Sequence, residues 1–172
     1  MEVVECLLSR RSVKKYKPDQ IPEDVLNQIL ECGTYAANGR GAQAAKMVAI
    51  QDRETIDVLE KMNADIMGAA GAHPFYGAPT VILVLADKTK PTYVEDGSLV
   101  MGNLMTAAWG LGVNSCWIHR AKEEMESAEG RALLAKWGIG EEYAGIGHCI
   151  LGYADGDIPQ AKPRKDDFIV RV

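Results

Sequence analysis

The chain has 172 residues, of which 47% are hydrophobic and 25% charged, and its formal net charge is −5. These values are ordinary for a globular protein with one hydrophobic core, so we expect a single domain that covers residues 1–172. The negative charge argues against a nucleic acid as the main partner. The longest nearly uncharged run, 97–118, contains polar and glycine residues that disfavour a membrane span, and the N-terminal residues lack the features of a secretory signal.

The four cysteines, Cys6, Cys32, Cys116 and Cys149, are scattered and form no CxxC pair. Their apolar neighbours suggest free buried thiols, which are typical of a reducing compartment. No cluster of Cys and His residues has the spacing of a metal site. We therefore expect a cytoplasmic protein without a bound metal.

Hydrophobic periodicity and turn residues predict helices and strands that alternate irregularly along the chain. Pro22 marks the start of one helix, with Glu23 and Asp24 favourable near its N-terminal end, and Asp52 is a candidate N-cap of the next. The predicted elements, in chain order, are helix 3–8, helix 22–35, strand 46–51, helix 53–70, strand 81–86, helix 93–111, strand 113–119, helical region 123–137, strand 144–153 and a candidate edge strand, 168–172. Since this order lacks a strict βαβ rhythm, we predict an α+β fold in which helices are layered on a sheet.

Two of these elements are unusually apolar. Residues 81–86 form a continuous run of leucine and β-branched residues with one alanine, which indicates a central strand covered on both faces. The helix 93–111 is apolar nearly all round in its second half. Such a helix is buried on all sides, so we expect it to be covered by its own domain and by a second subunit.

The common catalytic motifs are absent. The sequence has no GxSxG, HExxH, GxxxxGK[ST] or GxGxxG pattern. Glu95 and Asp96 are adjacent on a helix and therefore do not face each other as an acid–base pair. His73, His119 and His148 have no visible partners, so a surface or core position is the simpler interpretation of each. No side chain is therefore predicted as a catalytic group.

Basic residues are clustered at two places in this acidic chain. The clusters comprise Arg10, Arg11, Ser12 and Lys14 near the N-terminus and Lys162, Arg164 and Lys165 near the C-terminus. Guanidinium groups and a serine hydroxyl are typical ligands of a phosphate dianion. The clusters are therefore either two solvated faces or two halves of a site for a small phosphorylated ligand, and spacing alone leaves both interpretations open.

The order of several segments resembles the nitroreductase family. SRRSVKKYK, residues 9–17, is similar to the opening motif in which basic residues and a serine contact FMN. AANGRGAQAAKMVAI, FYGAPTVILVLAD and GNLMTAAWGLGVNSCWI resemble, in turn, the ring-side loop with its strand, the central strand, and the long interface helix with the strand that follows it. AKPRK resembles the closing basic element. The similarity covers nearly the whole chain and implies a nitroreductase-like fold, a central and mainly antiparallel sheet layered with helices, in an intertwined homodimer.

The resemblance also implies FMN as the cofactor and assigns residues to its parts. The phosphate would be held by Arg10, Ser12, Lys162 and Arg164. Arg11 would contact the phosphate or the ribityl chain, and Lys14 would lie at the pyrimidine edge of the ring, where a cation stabilises the reduced flavin. The ring would be contacted by Ala37, Asn38, Gly39 and Gln43 of the second subunit and, on the opposite face, by Cys116, Trp117 and Ile118.

Enzymes of this family reduce small acceptors, of nitroaromatic or quinone type, with NAD(P)H by a ping-pong mechanism that needs no side-chain nucleophile. The resemblance therefore predicts an NAD(P)H-dependent flavin oxidoreductase that acts as a homodimer, with neither nucleic acid nor membrane as a partner. Three positions of the ring-side loop, Gly41, Ala44 and Ala45, depart from the family pattern. They keep open a second hypothesis, an FMN-binding carrier or sensor without efficient turnover. A different reaction on the same scaffold and a flavin-free phosphate-binding domain are the remaining alternatives.

Overall fold

The structure is a computed structural model and describes residues 2–172. Its helices are α1 (Val3–Ser9), α2 (Glu23–Thr34), α3 (Arg53–Ile66), α4 (Tyr93–Gly110), α5 (Ala121–Glu126) and α6 (Ala128–Lys136). Its strands are β1 (Ala45–Ile50), β2 (Thr80–Asp87), β3 (Asn114–Ile118) and β4 (Tyr143–Gly152). The irregular order of helices and strands confirms the predicted α+β class.

The four strands form one sheet in the order β1-β2-β4-β3, and every neighbouring pair is antiparallel. The segment that follows α1 runs along the outer edge of β3. The backbone N–H of Val13 donates to the carbonyl of Ser115 over 3.1 Å, and that of Lys17 donates to the carbonyl of Tyr153 over 2.9 Å. The first bond fixes the N-terminal basic cluster against β3, and the second fixes the residues after it at the end of β4.

Strand β2 is buried because both faces of the sheet are covered. Its side chains alternate between two hydrophobic clusters, as the pleat of a strand requires. Val81, Leu83 and Leu85 belong to the cluster that α3, α5 and α6 complete. Ile82 and Val84 belong to the cluster that α2 and α4 complete. The strand is therefore apolar throughout because both of its faces are buried, as the sequence predicts.

Side-chain caps set several helix boundaries. Asp52 Oδ2 accepts a hydrogen bond of 2.9 Å from the N–H of Thr55, which confirms the predicted N-cap of α3. That helix ends before residue 70 because Gly68 adopts a left-handed conformation, with φ of 71°. The predicted helical region 123–137 is two helices. Ser127 is extended, with ψ of 162°, and its hydroxyl accepts from the N–H of Gly130 to start α6.

Two further expectations are wrong. Residues 168–172 form no strand, and their apolar side chains are exposed. An edge strand needs backbone hydrogen bonds to a neighbouring strand, and among the described residues none joins 168–172 to the sheet. Cys32 is exposed on α2, whereas the other three cysteines are buried as expected.

Its own chain buries only one side of helix α4. Met101, Leu104 and Ala108 are fully buried. Leu99 is 48% exposed, and Leu111, just beyond the helix, is 40% exposed. Cover of this outer face by a second subunit stays a prediction. None of the helices that the structure describes combines the length and apolar character needed to cross a bilayer.

Candidate functional site

The structure brings the two basic clusters together. Arg10, Arg11 and Ser12 line one side of a cleft of about 550 Å³, and Lys162 and Arg164 line another side. We call this feature the basic cleft. Residues from opposite ends of the chain therefore share one concave surface, which is the arrangement that a small phosphorylated ligand requires.

Short-range contacts hold the N-terminal half of the basic cleft. Arg11 Nη1 donates to the carbonyls of Leu8, over 2.9 Å, and Arg10, over 2.8 Å. These carbonyls lie at the C-terminal end of α1, where backbone acceptors need partners. Ser12 forms a parallel β-bridge with Ser115. The guanidinium of Arg11 therefore stabilises the helix end, and a contact with a ligand would be secondary to that.

Arg10 carries a donor without a partner. Its Nη1 is buried and makes no hydrogen bond within the described residues 2–172. Buried polar side chains are nearly always hydrogen-bonded, and a guanidinium has only donors to offer. Across the cleft, Arg164 Nη2 donates to the carbonyl of Lys162 over 2.7 Å, which orders that side chain. An anion with several acceptor oxygens fits this donor set.

A second cavity, of about 360 Å³, lies beside β3. Its walls include Lys14, Cys116, Trp117 and Ile118, the residues that the resemblance assigns to one face and one edge of the flavin ring. Lys14 Nζ lies 5.9 Å from the centre of the Tyr76 ring, on the same cavity. We call this feature the β3 cavity. It gathers the predicted ring-side residues of a single chain.

Groups of both features affect the pKa of the Cys116 thiol. Burial raises the pKa of this thiol, although the Ser12 hydroxyl and the positive charges of Lys14 and Arg10 act in the opposite direction. Ser12 of the basic cleft pairs with Ser115, the chain neighbour of Cys116, so the two features adjoin. A raised pKa keeps Cys116 protonated near neutral pH, which argues against a role as a nucleophile.

The predicted ring-side loop lies elsewhere on the chain. Asn38 and Gln43 line a third cavity, of about 160 Å³, which α2, β1 and α4 bound. The N–H of Gly39 donates to the buried Asp96 Oδ1 over 2.8 Å, and that of Gln43 donates to Asn38 Oδ1 over 2.9 Å. None of Ala37, Asn38, Gly39 and Gln43 lines the basic cleft or the β3 cavity of its own chain.

Strained backbone marks the same regions. Among residues 2–172, four non-glycine residues have a positive φ: Arg40 (56°), Gln43 (47°), Tyr76 (55°) and Arg120 (77°). The first two belong to the ring-side loop, and the last two line the β3 cavity. Such residues are concentrated at functional sites, because the surrounding structure must compensate for their strain.

Some residues that line the β3 cavity were not predicted from the sequence. Tyr76, His119 and Arg120 line it but were not predicted as site residues. A positive φ at a side chain other than glycine leaves no pattern in the sequence. The position of His119 at the end of the predicted strand 113–119, with Arg120 directly after it, was the one available signal.

Comparison with known proteins is consistent with this geometry. The model of the Nitroreductase family matches residues 7–153. A nitroreductase from Bacteroides fragilis, solved with bound FMN, is 29% identical and superposes with a TM-score of 0.91, over 100% of this chain and 99% of that chain.

Two archaeal relatives have names that propose an NADH dehydrogenase/NAD(P)H nitroreductase. The protein from Archaeoglobus fulgidus is 27% identical over 157 residues, which span 88% of this chain and 85% of that protein. The protein from Methanothermobacter thermautotrophicus is 26% identical over 126 residues. That second match spans 68% of this chain and only 60% of the relative's own length.

Proposed function

The chain belongs to the nitroreductase family, and on that premise we propose that it is an FMN-dependent oxidoreductase that transfers electrons from NAD(P)H to a small acceptor. The observation that carries this proposal is the buried, unpartnered Nη1 of Arg10 in a cleft that Arg164 also lines. An anionic group would accept from this donor, and the related Bacteroides fragilis nitroreductase was solved with FMN.

The residues present fit the two ends of FMN. Arg10, Ser12 and Arg164 would hold the phosphate in the basic cleft, with Lys162 beside them. Lys14 and the β3 residues 116–118 would contact the ring, because they line the adjoining β3 cavity. Arg11 would contribute mainly by holding the end of α1.

When bound, FMN would supply the hydride-transfer chemistry of a ping-pong cycle between NAD(P)H and an acceptor of nitroaromatic or quinone type. The chain contributes position and charge. Lys14 would stabilise negative charge at the pyrimidine edge of the ring, which favours the reduced state. Cys116, protonated at neutral pH, and Ile118 would form an inert wall on one face of the ring.

We further propose that the active unit is a homodimer. Many of the exposed large apolar side chains belong to α1, α4 and the tail: Val3, Val4, Leu7 and Leu8 of α1, Leu99 of α4, and Phe168, Ile169 and Val170 of the tail. Exposed apolar area of this extent is typical of an interface. The ring-side loop does not reach the β3 cavity of its own chain, so Ala37, Asn38, Gly39 and Gln43 would serve the site of the second chain.

The test is an absorbance spectrum of protein that has been incubated with FMN and desalted, followed by anaerobic addition of NADH and then NADPH. Flavin bands that survive desalting and bleach with a nucleotide are the expected result. Recovery of the bands on adding a quinone or a nitroaromatic compound would complete the cycle. Absence of flavin bands would contradict the proposal.

One observation favours the alternative of a carrier or sensor. Within the ring-side loop, the amides of Gly39 and Gln43 already bond Asp96 and Asn38. Fewer polar groups are then available to contact a flavin and tune it. Flavin bands that survive desalting but do not bleach with either nucleotide would favour this alternative.

A further inference from the structure

We propose that Arg120 binds an anionic group of the small molecule that occupies the β3 cavity, so that the preferred acceptor is a nitroaromatic or quinone that also carries a carboxylate. This inference rests on the proposed function, since it names the substrate class of the same site. Arg120 was not among the residues that the sequence predicts for the site.

The first support is the charge of the β3 cavity. Lys14 and Arg120 both line it, together with His73 and His119, and none of the aspartates and glutamates that the structure describes does. The nearby Glu60 carboxylate is already engaged, since it accepts from the N–H of Phe75 over 2.8 Å and lies 3.3 Å from His73 Nδ1. With Lys14 assigned to the flavin, Arg120 is the remaining permanent positive charge.

The second support is that the charge of Arg120 is not neutralised within the chain. Arg120 takes part in none of the ion pairs formed by residues 2–172. Its Nε donates to Asn63 Oδ1 over 3.1 Å, and its Nη2 contacts the sulfur of Met67 at 3.0 Å. A neutral amide and a weak sulfur acceptor thus hold the guanidinium without cancelling its charge.

The third support is that the side chain is positioned in advance. Asn63 is fully buried and also donates to the carbonyl of His119 over 2.7 Å. It therefore holds both the turn and the guanidinium of Arg120, whose backbone has the strained φ of 77°. A guanidinium fixed through Nε can still offer its outer N–H groups as a fork, which is the geometry that a carboxylate matches.

Two ligands of the proposed reaction offer an anionic group to Arg120. One is an acceptor that carries a carboxylate, and the other is the nucleotide, through its pyrophosphate. The β3 cavity has a volume of about 360 Å³, part of which the flavin ring would fill. Pockets of this size suit a single small ring rather than a dinucleotide. We therefore assign the anion to the acceptor and use the nucleotide as a separate arm of the test.

The test measures the affinity of the FMN-loaded protein for benzoate and for its neutral isostere benzamide. Binding of each ligand is monitored by the change in flavin absorbance. Benzoate should bind about tenfold more tightly than benzamide, the ratio expected of one charge-assisted hydrogen bond. Arg120→Gln should bring the ratio close to one, and Arg120→Lys should restore part of it. Lys122→Gln is the matched control, because Lys122 is exposed in the same region and does not line the β3 cavity. It should leave the ratio as it is.

Three results would overturn the inference. Equal affinities of the unaltered protein for the two ligands would do so, and so would an equal loss of preference in Lys122→Gln. If Arg120→Gln slows flavin reduction by NADH but leaves the benzoate preference intact, the anion is the nucleotide's pyrophosphate and the acceptor assignment is wrong. A protein that retains no FMN contradicts the proposed function itself, an outcome distinct from a flavoprotein that ignores the carboxylate.

Discussion

The Glu124 carboxylate and the His148 ring are both fully buried and meet over 2.8 Å between Oε2 and Nε2. The other carboxylate oxygen of Glu124 accepts a short hydrogen bond from Asn63 Nδ2. Phe75 packs against His148, and the centres of the two rings lie 5.0 Å apart. This network joins α3, α5 and β4 directly behind the turn that carries Arg120. It therefore connects the packing of the core to the wall of the β3 cavity.

Glu124→Ala should reduce the free energy of unfolding by about 3 kcal/mol, because it leaves His148 and Asn63 buried without their acceptor. Urea unfolding followed by circular dichroism measures this loss. Glu126→Ala, an exposed change on the same helix, should cost less than about 0.5 kcal/mol. Similar stabilities of the two variants would show that the buried pair contributes little.

Arg10→Ala should weaken FMN binding by about 10- to 100-fold, since a charge-assisted hydrogen bond to the phosphate would be lost. Stability should change little, because Nη1 has no partner in the described chain. Quenching of flavin fluorescence gives the dissociation constant. Arg53→Ala, an exposed arginine that pairs with Asp57 on α3, is the control and should bind FMN like the unaltered protein. An affinity of Arg10→Ala within about twofold of the control would contradict the phosphate assignment.

Sequence patterns were sufficient where the determinants are local. The apolar run of β2 and the Asp52 cap of α3 each act over a few residues, so the pattern predicts the element. The tail 168–172 has the composition of a strand but forms none, since a strand also needs a free edge within reach. The break between α5 and α6 depends on the hydroxyl of Ser127, which is a weak signal beside a helical pattern that continues on both sides.

The candidate site divides in the same way. The basic clusters were visible as composition, but only the fold shows that they line one cleft. The importance of Arg120 depends on its contact with Asn63, a residue 57 positions away. No short motif encodes such a contact, which explains why the sequence did not predict this residue.

Thiol reactivity should separate the four cysteines. Cys32 is exposed and should react rapidly with Ellman's reagent at pH 8. Burial raises the pKa of both Cys116 and Cys149, which lowers the fraction of reactive thiolate at any given pH, so these thiols should react only as the protein opens. Cys32→Ser should remove the rapid phase, and denaturation should release all remaining thiols. A second rapid thiol in the native Cys32→Ser variant would contradict this burial.

The outer face of α4 provides the most direct test of dimerisation. Leu99 is 48% exposed in the single chain although it lies on a helix rich in apolar residues. If a second chain covers it, Leu99→Glu would place a charge in an apolar interface and should convert the dimer to a monomer in light-scattering chromatography. FMN affinity should fall in parallel, because the ring-side loop of the second chain would be lost. Ile66→Glu is the matched control, since Ile66 is 41% exposed at the end of α3 and away from this face. An unaltered protein that is monomeric and still binds FMN tightly would show that one chain forms the whole site.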